Sequence, residues 1–454
     1  MTGRVPAQGP IPDLPRDFLF GVATSAHQIE GAAAEDGRTT SIWDVFSAVS
    51  GRIADGSTAE IAVDHYHRWR DDVALLSDLG VGGYRFSLSW SRVQPGGRGP
   101  ANPAGLDFYD RLVDALLANG IQPWATLYHW DLPTELMLEG GWLARDTADA
   151  FADYASLVGA RLGDRVAAWM TINEPVVHMA YGHAMGIDAP GLTLLGGAFA
   201  ASHHQLLGHA RAMQALRAVS SAPVGIVNNH TTVDAASDGD EDVAAAAFYD
   251  AFHNGQFIRP LLRGEYPDLL QALPGADFDL VAAGDLAEIA APMDFYGVNF
   301  YHPTRIGAAT GNTGIPFTME DTADVPHTDF DWPVVPSALT RLLVELDSEY
   351  PNLPPVHITE NGAAYDDPPD GSTDDVARID YLDGHLAAVA AARAAGVDVR
   401  GYFHWSLMDN WEWAEGFSRR FGLARVDPVT LDRIPRDSFR HYRDVIDAVR
   451  SGAR

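Results

Sequence analysis

The chain contains no cysteine, and all 31 of its basic residues are arginine, so lysine is missing too. Without thiols there are no disulfides, cysteine nucleophiles, thiolate zinc sites or cysteine-ligated iron–sulfur clusters. Without lysine there is no Schiff-base or pyridoxal-phosphate chemistry, no Walker-A phosphate lysine and no carbamylated metal bridge. Long apolar runs are absent as well: nothing approaches the roughly 18 residues that span a bilayer. Met1 to Pro15 has no apolar core of the signal-peptide kind, so a cytoplasmic enzyme is expected. Positive charge is scarce, with 31 basic against 62 acidic residues and a formal charge of −31. Nucleic-acid affinity rests on cations that neutralise phosphates, and a field of this sign repels polyanions and anionic membranes alike. Neutral or cationic small molecules are the fitting partners, although acidity also serves plain solubility.

What remains is an ordinary globular chain, 46% hydrophobic and 10% aromatic over 454 residues. It carries no short tandem repeat and no low-complexity linker. Short β-rich runs alternate with amphipathic Ala/Leu-rich stretches. Strands are predicted at Phe18–Ala26, Tyr84–Trp90, Gln122–Trp130, Ala167–Asn173, Val224–His230, Asp294–Tyr301, Val356–Thr359 and Val399–Ser406. Helical patterns between them include Asp71–Leu79, Leu106–Ala118, Ala148–Leu162, Ser202–Ala218, Ser337–Glu349 and Ile379–Ala394. Eight strand–helix units without a boundary predict an α/β fold with one closed (β/α)8 TIM barrel over residues 16–454, after a flexible segment 1–15. A two-domain doubly wound fold competes, but no G-x-G-x-x-G turn follows any strand. Connections near 31–60, 178–200, 302–335 and 363–377 are long, and on a barrel such loops wall the active-site face. A deep pocket is therefore expected.

Two strands end in glutamate. Trp169-Met170-Thr171-Ile172-Asn173-Glu174-Pro175 runs from apolar residues into Asn-Glu and stops at proline, which cannot donate to a ladder. Val356-His357-Ile358-Thr359-Glu360-Asn361-Gly362 ends in Glu before an Asn-Gly turn. Each Glu sits where a barrel strand delivers its side chain to the open mouth. They are far apart in sequence, and only closure of the barrel brings them together. Two facing carboxyl groups suit glycosidic cleavage, one protonating the leaving oxygen and the other attacking carbon or activating water. The plain alternative for either is an ion-paired surface residue.

These two segments resemble the signatures of the family-1 glycoside hydrolases, the retaining β-glucosidases and their relatives. Phe20-Gly21-Val22-Ala23-Thr24-Ser25-Ala26-His27-Gln28-Ile29-Glu30-Gly31 is similar to that family's N-terminal signature. Tyr84-Arg85-Phe86-Ser87, Tyr128-His129-Trp130-Asp131-Leu132-Pro133 and Gly297-Val298-Asn299-Phe300-Tyr301 follow in the family's order. Phe403-His404-Trp405-Ser406-Leu407-Met408-Asp409-Asn410-Trp411-Glu412-Trp413 completes the set.

The resemblance implies Glu174 as general acid/base and Glu360 as nucleophile, with Arg85, Tyr301 and Asn299 beside them. It implies Gln28, His129, Asn173 and Glu412 as ligands of the non-reducing sugar, and Trp405 and Trp413 as its apolar floor. Trp130 and Phe421 join the substrate-binding set, and Trp332 resembles the aromatic wall for the leaving group. Arg85 as an ordinary ion pair, Tyr301 as aromatic packing and the tryptophans as core are the competing readings. The implied reaction is hydrolysis of terminal β-D-glucosyl residues by double displacement, with no cofactor and no metal. The partners are β-glucosides or β-linked oligosaccharides, and a homo-oligomer is left open. β-Galactosidase, β-fucosidase or transglycosylating activity in the same pocket are alternatives, as is a sugar-binding protein without turnover.

Close cousins fit less well. The 6-phospho-β-glycosidases carry a Ser- and Lys-containing phosphate pocket where this chain has Glu412 and no lysine anywhere. The plant thioglucosidases lack the acid/base glutamate. Two departures from the family pattern are His27, where Tyr is usual, and Val176, which is expected to widen the space near the leaving group. His65-Tyr66-His67 has the spacing of a metallo-hydrolase H-x-H pair, and His203 and His204 are adjacent; the first lies at the start of a helical stretch after Asp64 and not at a strand end, so packed or solvated histidines are expected.

Overall fold

A computed structural model of the chain describes residues 11–311 and 315–452. Most of the segment expected to be flexible, residues 1–10, lies outside the described residues. Eight strands form the centre: β1 (Leu19–Ala23), β2 (Gly83–Ser87), β3 (Gln122–Tyr128), β4 (Ala168–Asn173), β5 (Val224–Asn229), β6 (Phe295–Asn299), β7 (Val356–Asn361) and β8 (Val399–Trp405). Each pairs in parallel with its sequence neighbours, and β8 pairs with β1, so the sheet is a closed barrel. All eight fall within or almost within the predicted runs. The reason is local: strands buried on both faces read as unbroken apolar runs rather than alternating ones.

Helices cover the barrel outside, and their ends follow residue chemistry. Pro103 and Pro336 open two of them at a position where the missing N–H costs nothing. Gly80, at φ 75°, closes His65–Leu79 in the left-handed conformation that glycine adopts freely. That helix starts six residues before the predicted Asp71, because His65, Tyr66 and Trp69 extend its buried stripe.

Two regions differ from the predicted layout. The connection at 302–335 is not irregular throughout. Thr304–Ala308 pairs with Phe317–Met319 and with Val233–Ala235, giving a small three-stranded sheet beside the mouth. Between β5 and β6, a helix Asp240–Asp250 passes through a π-helical turn, Ala251–Gly255, into a second helix, Gln256–Arg263. Alanines on several sides and the internal Pro260 hide any apolar stripe there. Among the described residues no helix is long and apolar enough to cross a membrane.

The barrel interior has its own apolar cluster, separate from the layer between strands and helices. Trp124 lies 5.4 Å from Phe295, 5.1 Å from Phe403 and 4.7 Å from His357, ring centre to ring centre. Gly21 leaves room for it: a Cβ there would stand 2.3 Å from the Phe403 ring. These residues plug the floor beneath the site.

Candidate active site

Strand irregularities aim the two glutamates. Along β7 the register against β6 shifts between Ile358 and Glu360. A bulge of this kind turns successive side chains off strict alternation. Thr359 therefore reaches Asn299, and Glu360 turns to Arg85 and Tyr301 at the same end of the barrel. The register of β4 against β5 also shifts, between Met170 and Asn173. Glu174 then adopts φ 46°, a left-handed conformation uncommon for a residue with a side chain. Pro175 begins the short helix Pro175–Val177 immediately afterwards. Trp130 and Trp413 are left-handed too, at φ 75° and 48°. Such conformations cost energy and cluster at binding sites.

Both carboxyls are buried, with Glu174 4% and Glu360 3% exposed. Their surroundings differ. Glu360 Oε1 pairs with the fully buried Arg85 guanidinium, and its Oε2 accepts from the Tyr301 hydroxyl at 2.6 Å. A cation and a phenol donor are the partners that support a negative charge. Glu174 meets only neutral donors: Asn299 Nδ2 at 2.8 Å and Asn229 Nδ2 at 3.0 Å, both on Oε1. Burial, followed by the nearby Glu360 charge, pushes Glu174 up to about 8 against the partial opposition of the two amides and Arg85. One carboxyl is thus equipped to hold a proton at neutral pH, beside another equipped with a cation.

Asn173 joins the two halves. Its Oδ1 accepts from Arg85 at 2.6 Å and from Asn299 at 3.1 Å, and its Nδ2 lies 3.1 Å from His129 Nε2. Trp130 Nε1 donates to the Asn173 carbonyl at 2.8 Å. The His129 ring stacks with Trp405 and Trp413 at 6.0 and 5.8 Å. On the adjoining side, Gln28 Nε2 donates to Glu412 at 3.1 Å and to Asn410 at 3.0 Å, while Ser25 fixes the Gln28 carbonyl. Burial and the Glu360 charge push Glu412 up to about 8 as well. Trp332, half-buried, packs 5.2 Å from Tyr301 and 5.8 Å from Phe421.

Every side chain singled out in the sequence as catalytic or sugar-binding therefore lies in this one assembly. Residues that sequence reasoning did not single out also belong to it. Asn229 closes β5, and its place at a strand end beside His230 is the signal that was available. Thr359 donates to Asn299 at 2.7 Å. Phe330 stacks on Trp332 at 4.5 Å and doubles the aromatic wall; nothing in its loop announces it.

His27 is buried, stacks parallel to Trp413 at 6.0 Å and meets Trp411 edge-on at 5.4 Å. Burial pushes it down to about 4, so it packs as a neutral ring. Val176 is packed into the main apolar core. The other noted histidines have protein partners. His65 bonds Asp72 at 2.7 Å, and His67 bonds Asp64 at 2.6 Å. His203 bonds Asp285 at 2.9 Å, and His204 bonds the Trp142 carbonyl at 3.0 Å.

Comparison with known proteins finds relatives along nearly the whole chain. The family described as "Glycosyl hydrolase family 1" matches residues 12–450. A β-glucosidase from an Agrobacterium species is 47% identical over 434 residues, covering 94% of each chain. A bifunctional β-D-glucosidase/β-D-fucosidase from Bifidobacterium breve is 45% identical over 461 residues, covering 95% of this chain and 98% of the other. A solved family 1 β-glucosidase from Thermotoga maritima superposes with a TM-score of 0.92 at 41% identity, covering 97% and 99% of the two chains.

Proposed function

The chain belongs to glycosyl hydrolase family 1, and on that footing we propose that it hydrolyses terminal non-reducing β-D-glucosyl residues with retention of configuration. The observation that carries this reading is the contrast within one buried pair: Glu360 beside Arg85 and Tyr301, Glu174 beside amides only. In the first step Glu360 attacks the anomeric carbon while Glu174 gives its proton to the departing oxygen. A covalent glucosyl ester forms and the aglycone leaves as an alcohol. That ester neutralises Glu360, which removes the charge that helps hold the proton on Glu174. Glu174 then becomes the better base, takes a proton from water, and the hydroxide equivalent displaces Glu360.

Asn173 is the group we assign to the 2-hydroxyl, where hydrogen bonds strengthen as oxocarbenium character develops. Gln28, His129 and Glu412 read the remaining hydroxyls above the Trp405 and Trp413 floor. Trp332, backed by Phe330, receives the aglycone. A second glycone, β-D-fucosyl, is supported by the bifunctional relative. A panel of aryl β-glycosides tests the reading: glucoside and fucoside are cleaved and mannoside is poor. A panel cleaved only at galactoside or mannoside contradicts it.

A further inference from the structure

Glu174 Oε1 is occupied from two sides, by Asn299 Nδ2 and by Asn229 Nδ2. An oxygen whose lone pairs both face N–H groups has no place for a proton of its own. When Glu174 is neutral, its proton therefore sits on Oε2. An amide presents either nitrogen or oxygen after half a turn, so this holds only while each amide is pinned. For Asn299 the pin is Thr359, whose hydroxyl donates to Oδ1. For Asn229 it is His253, whose Nε2 lies 3.0 Å from Oδ1.

We propose that His253 is a positioning residue for the acid/base carboxyl: it holds the Asn229 nitrogen toward Glu174 and so assigns the catalytic proton to Oε2. The proposal rests on Glu174 being the acid.

The π-helical turn at Ala251–Gly255 carries His253. Its ring stacks on Tyr249 at 5.5 Å, and the Tyr249 hydroxyl lies 3.4 Å from Nδ1. Burial, with smaller contributions from His230 and His302, pushes His253 down to about 3. A neutral ring carries one proton. Nε2 faces Asn229 Oδ1, an oxygen that can only accept, so the proton lies on Nε2 and the bare Nδ1 faces the Tyr249 hydroxyl, which also meets Thr304. His230 is engaged elsewhere, by Asn254 at 2.9 Å and Tyr296 at 2.8 Å, and His302 faces the Pro303 carbonyl. The chain runs one way, from Tyr249 through His253 and Asn229 to Glu174.

Asn229 donation also favours ionised Glu174, so losing it raises that group further. The other groups facing Glu174 are Glu360, Arg85, Tyr301, Tyr181 and Glu412, and a change at position 253 leaves them in place.

His253→Leu removes the donor, and His253→Gln keeps an amide N–H at a similar reach from Cβ. In the full-length enzyme, His253→Leu is expected to cut kcat/KM for an alkyl β-glucoside about tenfold, inside the range of acid catalysis. Hydrolysis of dinitrophenyl β-glucoside should stay within about twofold, since that leaving group needs no proton. The alkaline limb of the alkyl-glucoside profile should move up by roughly half a pH unit. His253→Gln should restore both. Tyr249→Phe should give the same pattern, weaker, should His253→Leu fail to fold. Equal losses on both substrates with an unmoved limb overturn the proposal, as does a His253→Gln enzyme no better than His253→Leu. Glu174→Gln is assayed alongside. If it shows no leaving-group dependence, the acid assignment itself falls; if it does and the His253 variants do not, only the relay falls.

Discussion

The two halves of the barrel interior are built from the same eight strands on opposite terms. Toward the strand starts, Trp124, Phe295, His357 and Phe403 fill the bore by ring contacts, and Gly21 makes room for Phe403. Toward the strand ends, Arg85, Asn173, Glu174, Asn299 and Glu360 fill it with hydrogen bonds, left-handed residues and register shifts. His357 and Glu360 stand three residues apart on β7, one in each half. The floor gains stability from burying apolar surface. The mouth buries charged groups at a cost, which is the usual bargain of a site organised for chemistry.

Substitutions in the two halves should therefore fail differently. The largest effect is expected at Glu360→Ala: loss of aryl β-glucoside turnover by on the order of 10⁵-fold or more, as when a nucleophile is removed. Steady-state assays check it, and the fold should survive by circular dichroism. Glu174→Ala is expected to lose about 10²–10⁴-fold on alkyl glucosides and far less on dinitrophenyl glucoside. Trp124→Ala inverts the pattern. Denaturant unfolding should report a loss of about 3–5 kcal/mol, typical of truncating a buried tryptophan, with kcat of the folded fraction little changed.

The smallest effect concerns pH. Folded Glu174 and Glu412 titrate near 8, above the ordinary 4.5. Across that window the native state holds protons that the unfolded chain has released, so stability falls as pH rises. The Glu174→Gln protein should show a shallower decline between pH 5 and about 8 in urea titrations. An identical slope in both proteins would remove Glu174 from the proton balance.

The barrel was readable because each strand is a buried apolar run ended by polar residues, and because the chain closes the ring without exchanging strand order. The two glutamates were readable from their place at strand ends. Asn229 and His253 were not. Asn229 lies inside the predicted strand Val224–His230, one residue before its end, and belongs to no motif that marks it as functional. His253 acts across a π-helical turn whose alanine-rich flanks leave no apolar stripe to follow. The bulge on β7 was equally hidden: strict alternation would send Thr359 and Glu360 to opposite faces, and only pairing to β6 reveals the shift. Phe330 gains its position from stacking on Trp332, a contact between loop residues that no periodicity encodes.

The decisive measurement is proton NMR of the first sugar released from an aryl β-glucoside, recorded before mutarotation. A carboxyl pair that works through a glucosyl ester on Glu360 must release the β-anomer first. First release of the α-anomer would mean that water attacks directly, and the roles assigned to Glu174 and Glu360 could not stand.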